Sequence, residues 1–189
     1  MNSSNKIIEK LDSFSGNTEH SFKRRLLSLF LIFIVGSMIG WVYEELYYLL
    51  DDHLLLNRGF MYGPWLPVYG IGTLLMLGLL FRYRGNPLLA FLGGAVVCGV
   101  LEYIAGAAVL HFLHERLWDY TGLFLNINGF VCLRSVITFG VGALLLFYLV
   151  QPVTNHFLSK MKDRQFFRFG YAVLIIFILD LVMSIIFRR

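Results

Sequence analysis

Charge is scarce in this chain, and so are cysteine and proline. Of its 189 residues only 15% are Asp, Glu, Lys or Arg, with 2 cysteines and 4 prolines. A soluble globular chain carries about 25% charged residues, so an ordinary water-facing surface is excluded for most of the length. Cys98 and Cys132 both fall in apolar runs and are too few for a disulfide framework or a zinc set. Three enzyme signatures are missing: the phosphate-binding loop ending in Lys-Ser/Thr, the G-x-S-x-G elbow and the H-E-x-x-H pair. The basic excess, +4, forms no run interleaved with aromatics, so no nucleic-acid partner is expected. No cofactor is expected either.

What is abundant is apolar surface in long blocks. The chain is 58% hydrophobic, with a mean hydropathy of +0.70. Five apolar segments follow a polar stretch over 1–25: about 26–49, 64–81, 88–112, 130–150 and 169–187. Each approaches the roughly 20 residues a helix needs to cross a bilayer. The expected fold is therefore an all-α integral membrane protein, a single helical domain over 26–189 behind a tail of 25 residues. The run after Lys23-Arg24-Arg25 is too long for a cleaved signal peptide and reads as a true span. Ile7, Leu11 and Phe14 recur at helical spacing, but a solvated tail is the commoner outcome. Pro64 and Pro67 fall at the start of the second segment, where a kinked or unwound entry is expected.

Basic residues set the orientation. With the N-terminus in the cytoplasm, the inner stretches hold Lys6, Lys10, Lys23, Arg24, Arg25, Arg82, Arg84, Lys160, Lys162, Arg164 and Arg168. The outer side holds Arg58, Arg116, Arg134, Arg188 and Arg189. The expectation is N-in, C-out, with ordered outer loops and a segment at 113–129 that lies along the membrane or re-enters it. A re-entrant backbone survives only where protein or a cavity satisfies its polar groups.

Ionisable groups within spans need a partner or a purpose. Glu44, Glu102, Arg134 and Asp180 all fall on the outer side of the midplane. Gly36, Gly40 and Glu44 share one helical stripe, as do Ala95, Gly99, Glu102 and Gly106. Small residues let helices approach closely, which places each acid on a packed face. Ser135, Thr138 and Gly142 draw a similar stripe on the fourth segment. A structural ion pair between Glu102 and Arg134, or bonds to Tyr43 and Tyr103, would explain the charges equally. Asp180 and Ser184, one turn apart, are candidates to join or flank the site. The loops add Arg58, Trp118, Asp119 and Asn128, though Trp118 and Tyr120 also suit an aromatic belt. His111, His114 and Glu115 have ligand-like spacing, but interfacial histidines without metal are commoner and no metal site is expected. Glu44 leading to Asn57-Arg58-Gly59-Phe60, and Glu102 leading to Asn128-Gly129-Phe130, form a faint parallel repeat.

An ordered set of motifs runs through the first four segments: Gly40-Trp41 with Glu44, Asn57-Arg58-Gly59-Phe60 through Gly63-Pro64, Pro67 and Tyr69-Gly70, Leu101-Glu102-Tyr103, Trp118-Asp119-Tyr120, Asn126 and Asn128-Gly129. Over about 30–152 the chain resembles a family of small bacterial membrane proteins, the ABC-transporter permease family (ABC-transporter type IV, CmpB-like). The resemblance implies a multi-pass protein of the bacterial cytoplasmic membrane working with a separate ATPase subunit. Where an arginine often follows the asparagine–glycine pair in that family, this chain has Phe130, and Arg134 comes one turn later. The inner connection 151–168 is the expected dock for an ATPase, although its charge also suits anionic lipid. A homo-oligomer is expected of so small a bundle.

The leading expectation is a transport protein with an outward polar cavity holding a ligand at Glu44, Arg58, Glu102, Tyr103, Trp118, Asp119, Asn128 and Arg134. Acids outnumber bases at that end, favouring a cationic or zwitterionic ligand. Two alternatives remain. One is a membrane enzyme acting on a lipid or envelope precursor, with Glu102 or Asp119 as acid or base and Arg58 and Arg134 on a phosphate. The other is a scaffold whose charges only fix helix register.

Overall fold

The computed structural model describes residues 22–51, 59–116 and 118–187. Expectations that rest on Ile7, Leu11, Phe14, Asn57, Arg58, Arg188 and Arg189 lie outside the described residues. The described fold is all-helical: α1 Phe22–Asp51, α2 Pro67–Leu80, α3 Pro87–Leu113, α4 Leu133–Leu145, α5 Gln151–Lys160 and α6 Asp163–Phe187. A tight 3-10 turn, Phe81–Tyr83, ends α2, and a π-turn, Leu146–Val150, joins α4 to α5. Among the described residues, four helical stretches are long and apolar enough to cross a membrane: Phe22–Leu50, Pro87–Phe112, Leu133–Lys160 and Asp163–Phe187. The helical stretch Pro67–Tyr83 is apolar but shorter.

The second apolar segment was read from about residue 64 with a kinked or unwound entry, and the helix begins at Pro67 after a non-helical 59–66, in keeping with that entry. Proline has no N–H to give and suits a first turn, so residues 59–66 are left as turns. The connection 151–168 is a helical hairpin rather than a loop. Helix continues to Lys160, and α6 starts six residues before the apolar run, at Asp163. Periodic burial of Gln151 and Leu158 on α5 and Phe166 on α6 keeps helix where mean hydropathy is low. Pro152 is accommodated beside the π-turn, where the regular hydrogen-bond ladder is already altered.

The chain divides into two compact units, one of 1–74 with 151–189 and one of 75–150. In the first, Leu27 and Leu31 of α1, Leu158 of α5 and Phe166 of α6 form a buried cluster. Arg24 is 4% exposed. It pairs with Asp163, donates to the Leu158 carbonyl at 3.4 Å and lies 4.2 Å from the Phe166 ring centre. The buried charge is thus both paired and hydrogen-bonded, which is what its desolvation requires. Farther along, Phe177 of α6 meets Phe30 and Phe33 edge-on. The small residues of α1 face α2: a Cβ at Gly36 would meet Thr73, and one at Gly40 would meet Tyr69. The expected stripe of Gly36, Gly40 and Glu44 is therefore the α1–α2 seam.

In the second unit α3 packs along α4. Asn86 caps α3, its side chain accepting from the Leu88 and Leu89 amides at 3.0 and 3.3 Å, with Pro87 at the first helical position. A Cβ at Gly94 would fall 2.3 Å from the Ala143 Cβ, and one at Gly140 would strike the Phe91 ring. The two backbones meet because neither seam position carries bulk. Buried Ser135 accepts from the Cys132 N–H at 3.2 Å and donates to the Cys132 carbonyl at 3.0 Å, fixing the start of α4.

Candidate functional site

The segment between α3 and α4 is built as an ordered loop. α3 ends with His114 in the left-handed region, and Leu125, Asn128, Gly122 and Gly129 also have positive φ. A Cβ at Gly129 would fall 2.5–2.7 Å from Arg116, Asp119 and Thr121 atoms, so glycine is needed there for both conformation and space. The Tyr120 amide donates to the Gly129 carbonyl at 2.8 Å, and Ile127 pairs with Val131 in a one-rung bridge. Asn126 accepts from the Gly129 amide through its side chain at 3.3 Å.

Two hydrogen bonds tie this loop to α3, and several more contacts tie it to itself. The Tyr120 hydroxyl donates to Glu102 at 3.0 Å. The Asn128 side-chain amide donates to the Tyr103 hydroxyl at 2.9 Å. The Trp118 indole donates to the Phe130 carbonyl at 3.0 Å, and Gly106 leaves room for both rings. Arg116 reaches Asp119 at 3.2 Å and the Asn128 carbonyl at 3.3 Å, and lies 5.1 Å from the Phe130 ring centre. Asp119 also accepts from the Thr121 amide at 2.8 Å and from its hydroxyl. These two donors, then the Arg116 charge, hold the Asp119 carboxyl below its ordinary range. A cavity of about 380 Å³ opens beside the loop against Ala107, Leu110, His111, His114 and Phe130.

Of the residues expected to form a site, Glu102, Tyr103, Trp118, Asp119 and Asn128 thus belong to one loop–helix network. Arg134 lies on the first turn of α4, exposed, its carbonyl accepting from Thr138 at 3.0 Å. Arg58 lies outside the described residues. Glu44 belongs to the other unit, where the Tyr69 hydroxyl donates to it at 2.5 Å. Each unit therefore holds a helix carboxylate on a tyrosine hydroxyl. Tyr69 and Arg116 were not singled out as site residues, and Tyr120 was weighed between an aromatic belt and a site role, because each acts through a contact that helical spacing does not report.

Asp180 and Ser184 have a different setting from the loop network. Asp180 accepts from the Tyr62 amide at 3.0 Å, the Gly63 amide at 2.8 Å and the Trp65 indole. Ser184, fully buried, donates to Asp180 at 3.3 Å and accepts from the Tyr62 amide at 3.3 Å. One carboxylate on α6 thereby satisfies backbone donors of the turns before α2, which have no helical partner of their own.

Long apolar helices, glycine-lined seams and polar side chains gathered on an ordered loop define a multi-pass membrane protein. Its family is also shown. Residues 31–185 match the model of the family described as Putative ABC-transporter type IV, and the chain belongs to that family. No curated protein and no solved structure is similar enough to match it.

Proposed function

We propose that this chain is the membrane-spanning, permease-like subunit of a transport system. In this reading it has five spans, N-in and C-out, in a bacterial cytoplasmic membrane. The ligand is cationic or zwitterionic. Glu102 is its anionic contact, and Tyr103, Trp118, Asp119, Asn128 and Arg134 shape the place where it is held; Glu44 and Arg58 are proposed to serve the same ligand. Membership of the transporter family supports the class.

The single observation that carries the site is the Tyr120–Glu102 hydrogen bond. It joins an ordered loop to a carboxylate on a helix long enough to cross the membrane. A neutral hydroxyl donor can be exchanged for a ligand's ammonium, which bonds the carboxylate more strongly because it carries charge. A ligand of this kind would move the loop as it binds.

A thermal-shift screen of the purified protein against amines, quaternary ammonium compounds and amino acids tests the reading. At least one compound is expected to stabilise the wild type and to lose its effect in Glu102→Gln, with the unliganded melting temperature little changed. Equal stabilisation in the variant would remove Glu102 from the site. The ATPase partner, proposed to dock on 151–168, is tested separately by mild-detergent purification at native expression. A stoichiometric nucleotide-binding subunit supports the permease reading, and its consistent absence moves the enzyme and scaffold readings forward.

A further inference from the structure

The Arg24 contacts fix more than one helix. By pairing with Asp163 and bonding the Leu158 carbonyl, Arg24 brings the start of α1, the end of α5 and the start of α6 to one level. Five other bases follow from that arrangement. Lys23 adjoins Arg24, Lys162 and Arg164 flank Asp163, Lys160 lies two residues past Leu158, and Arg168 lies one turn beyond Arg164. All five are exposed, and among the described residues none is matched to a carboxylate. The acid at this level, Asp163, is already engaged by Arg24.

We propose that this basic collar binds the phosphate of anionic phospholipid headgroups. Depth is the first argument: the collar lies at the very start of two stretches long enough to span a membrane, Phe22–Leu50 and Asp163–Phe187. That is where headgroups lie. The second is the apolar company. Phe157 and Phe169 are 67% and 49% exposed, and each lies within three residues of a collar base, Lys160 or Arg168, on its span side, offering rings to acyl chains just below the phosphates. Free phosphate or a soluble acidic peptide would have no use for those rings. The third is chemistry, since Arg164 and Arg168 share a helix face and present planar forks that suit phosphate oxygens.

The test is native mass spectrometry of the full chain from micelles doped equally with phosphatidylglycerol and phosphatidylcholine. The wild type is expected to retain phosphatidylglycerol preferentially. Each removed charge weakens surface attraction roughly five-fold, so K160Q/K162Q/R164Q/R168Q is expected to lose the preference by more than about ten-fold. The charge-keeping K160R/K162R, which leaves both arginine forks in place, retains it. If the first variant does not fold, the wild type at about 0.5 M salt supplies the reading, because exposed charges are then screened and the preference falls. Equal retention of the two lipids by the wild type overturns the proposal. So does displacement by equimolar inorganic phosphate, which would make the site one for a free anion. A glutamine variant that keeps its lipid preference but loses a co-purifying ATPase also overturns it, and assigns the collar to a protein partner.

Discussion

At the scale of single residues, Asp119 offers the clearest test of the loop's electrostatics. Its carboxyl is held below the ordinary range by the Thr121 hydroxyl and amide, helped by Arg116. A carboxylate with a lowered folded value stabilises the loop fully above its unfolded value of about 3.9 and loses that contribution as pH falls through the lowered one. Hydrogen exchange at the Thr121 amide should therefore stay protected down to the ordinary carboxylate range and open only below it. Asp119→Asn should lose the pH dependence. Gly40 gives a steric test: a methyl there would lie 2.1 Å from Cγ and 2.4 Å from Cβ of Tyr69, the rigid stem of the ring rather than its tip. Gly40→Ala is expected to cost about 1–3 kcal/mol by overpacking, read as a lower melting temperature in detergent. An unchanged melting point would show that the α1–α2 seam yields.

Between elements, the α1–α2 seam was legible in the sequence; the α4 side of the other seam, at Gly140 and Ala143 with the expected Gly142 facing open space, and the long-range anchors were not. Stripes of small residues at spacings of three and four survive in any helix, so the packed faces of α1 and α3 follow from periodicity. The partner of each acid does not. Tyr69 lies 25 positions from Glu44 and Tyr120 lies 18 from Glu102, and no local rule relates those distances. Asp180 bonds turns more than 110 positions away, and Asp163 pairs with Arg24 over 139. The proximity of Asp180 to Ser184 was readable, but its service to the Tyr62 and Gly63 amides and the Trp65 indole was not. Asp180→Asn keeps the shape and weakens four charge-assisted bonds, three of them to the turns before α2. Faster proteolysis or exchange within 59–66, with the rest of the chain unaffected, is the expected result. The hairpin at 151–168 was missed for another reason: low mean hydropathy hid a helix whose buried positions are few but regularly spaced.

For the whole molecule, the orientation is the proposal with the widest consequences, because it decides which side each loop can serve. Single cysteines at Lys162 and Tyr62 test it in intact cells. The native Cys98 and Cys132 are buried and should remain silent to an impermeant maleimide. Label at position 62 only from outside, and at position 162 only after the membrane is opened, is the expected pattern; the reverse would invert the topology. The family and the apolar helices were both within reach of the sequence. The division of the chain into two units, the first closed by residues from both ends of the sequence, was not, because only a fold can bring α6 back to α1.

That closure carries a cost in time. Arg24 lies 139 positions ahead of its counter-ion, Asp163. A ribosome adding about 5–20 residues per second leaves the arginine waiting roughly 7–28 seconds for that partner. During that interval Arg24 has neither Asp163 nor the Phe166 ring to cover it, so the start of α1 stays open to water. Nascent chains halted before residue 163 should therefore leave a cysteine at position 24 open to an impermeant maleimide applied from the cytoplasmic side, and release past that point should cover it.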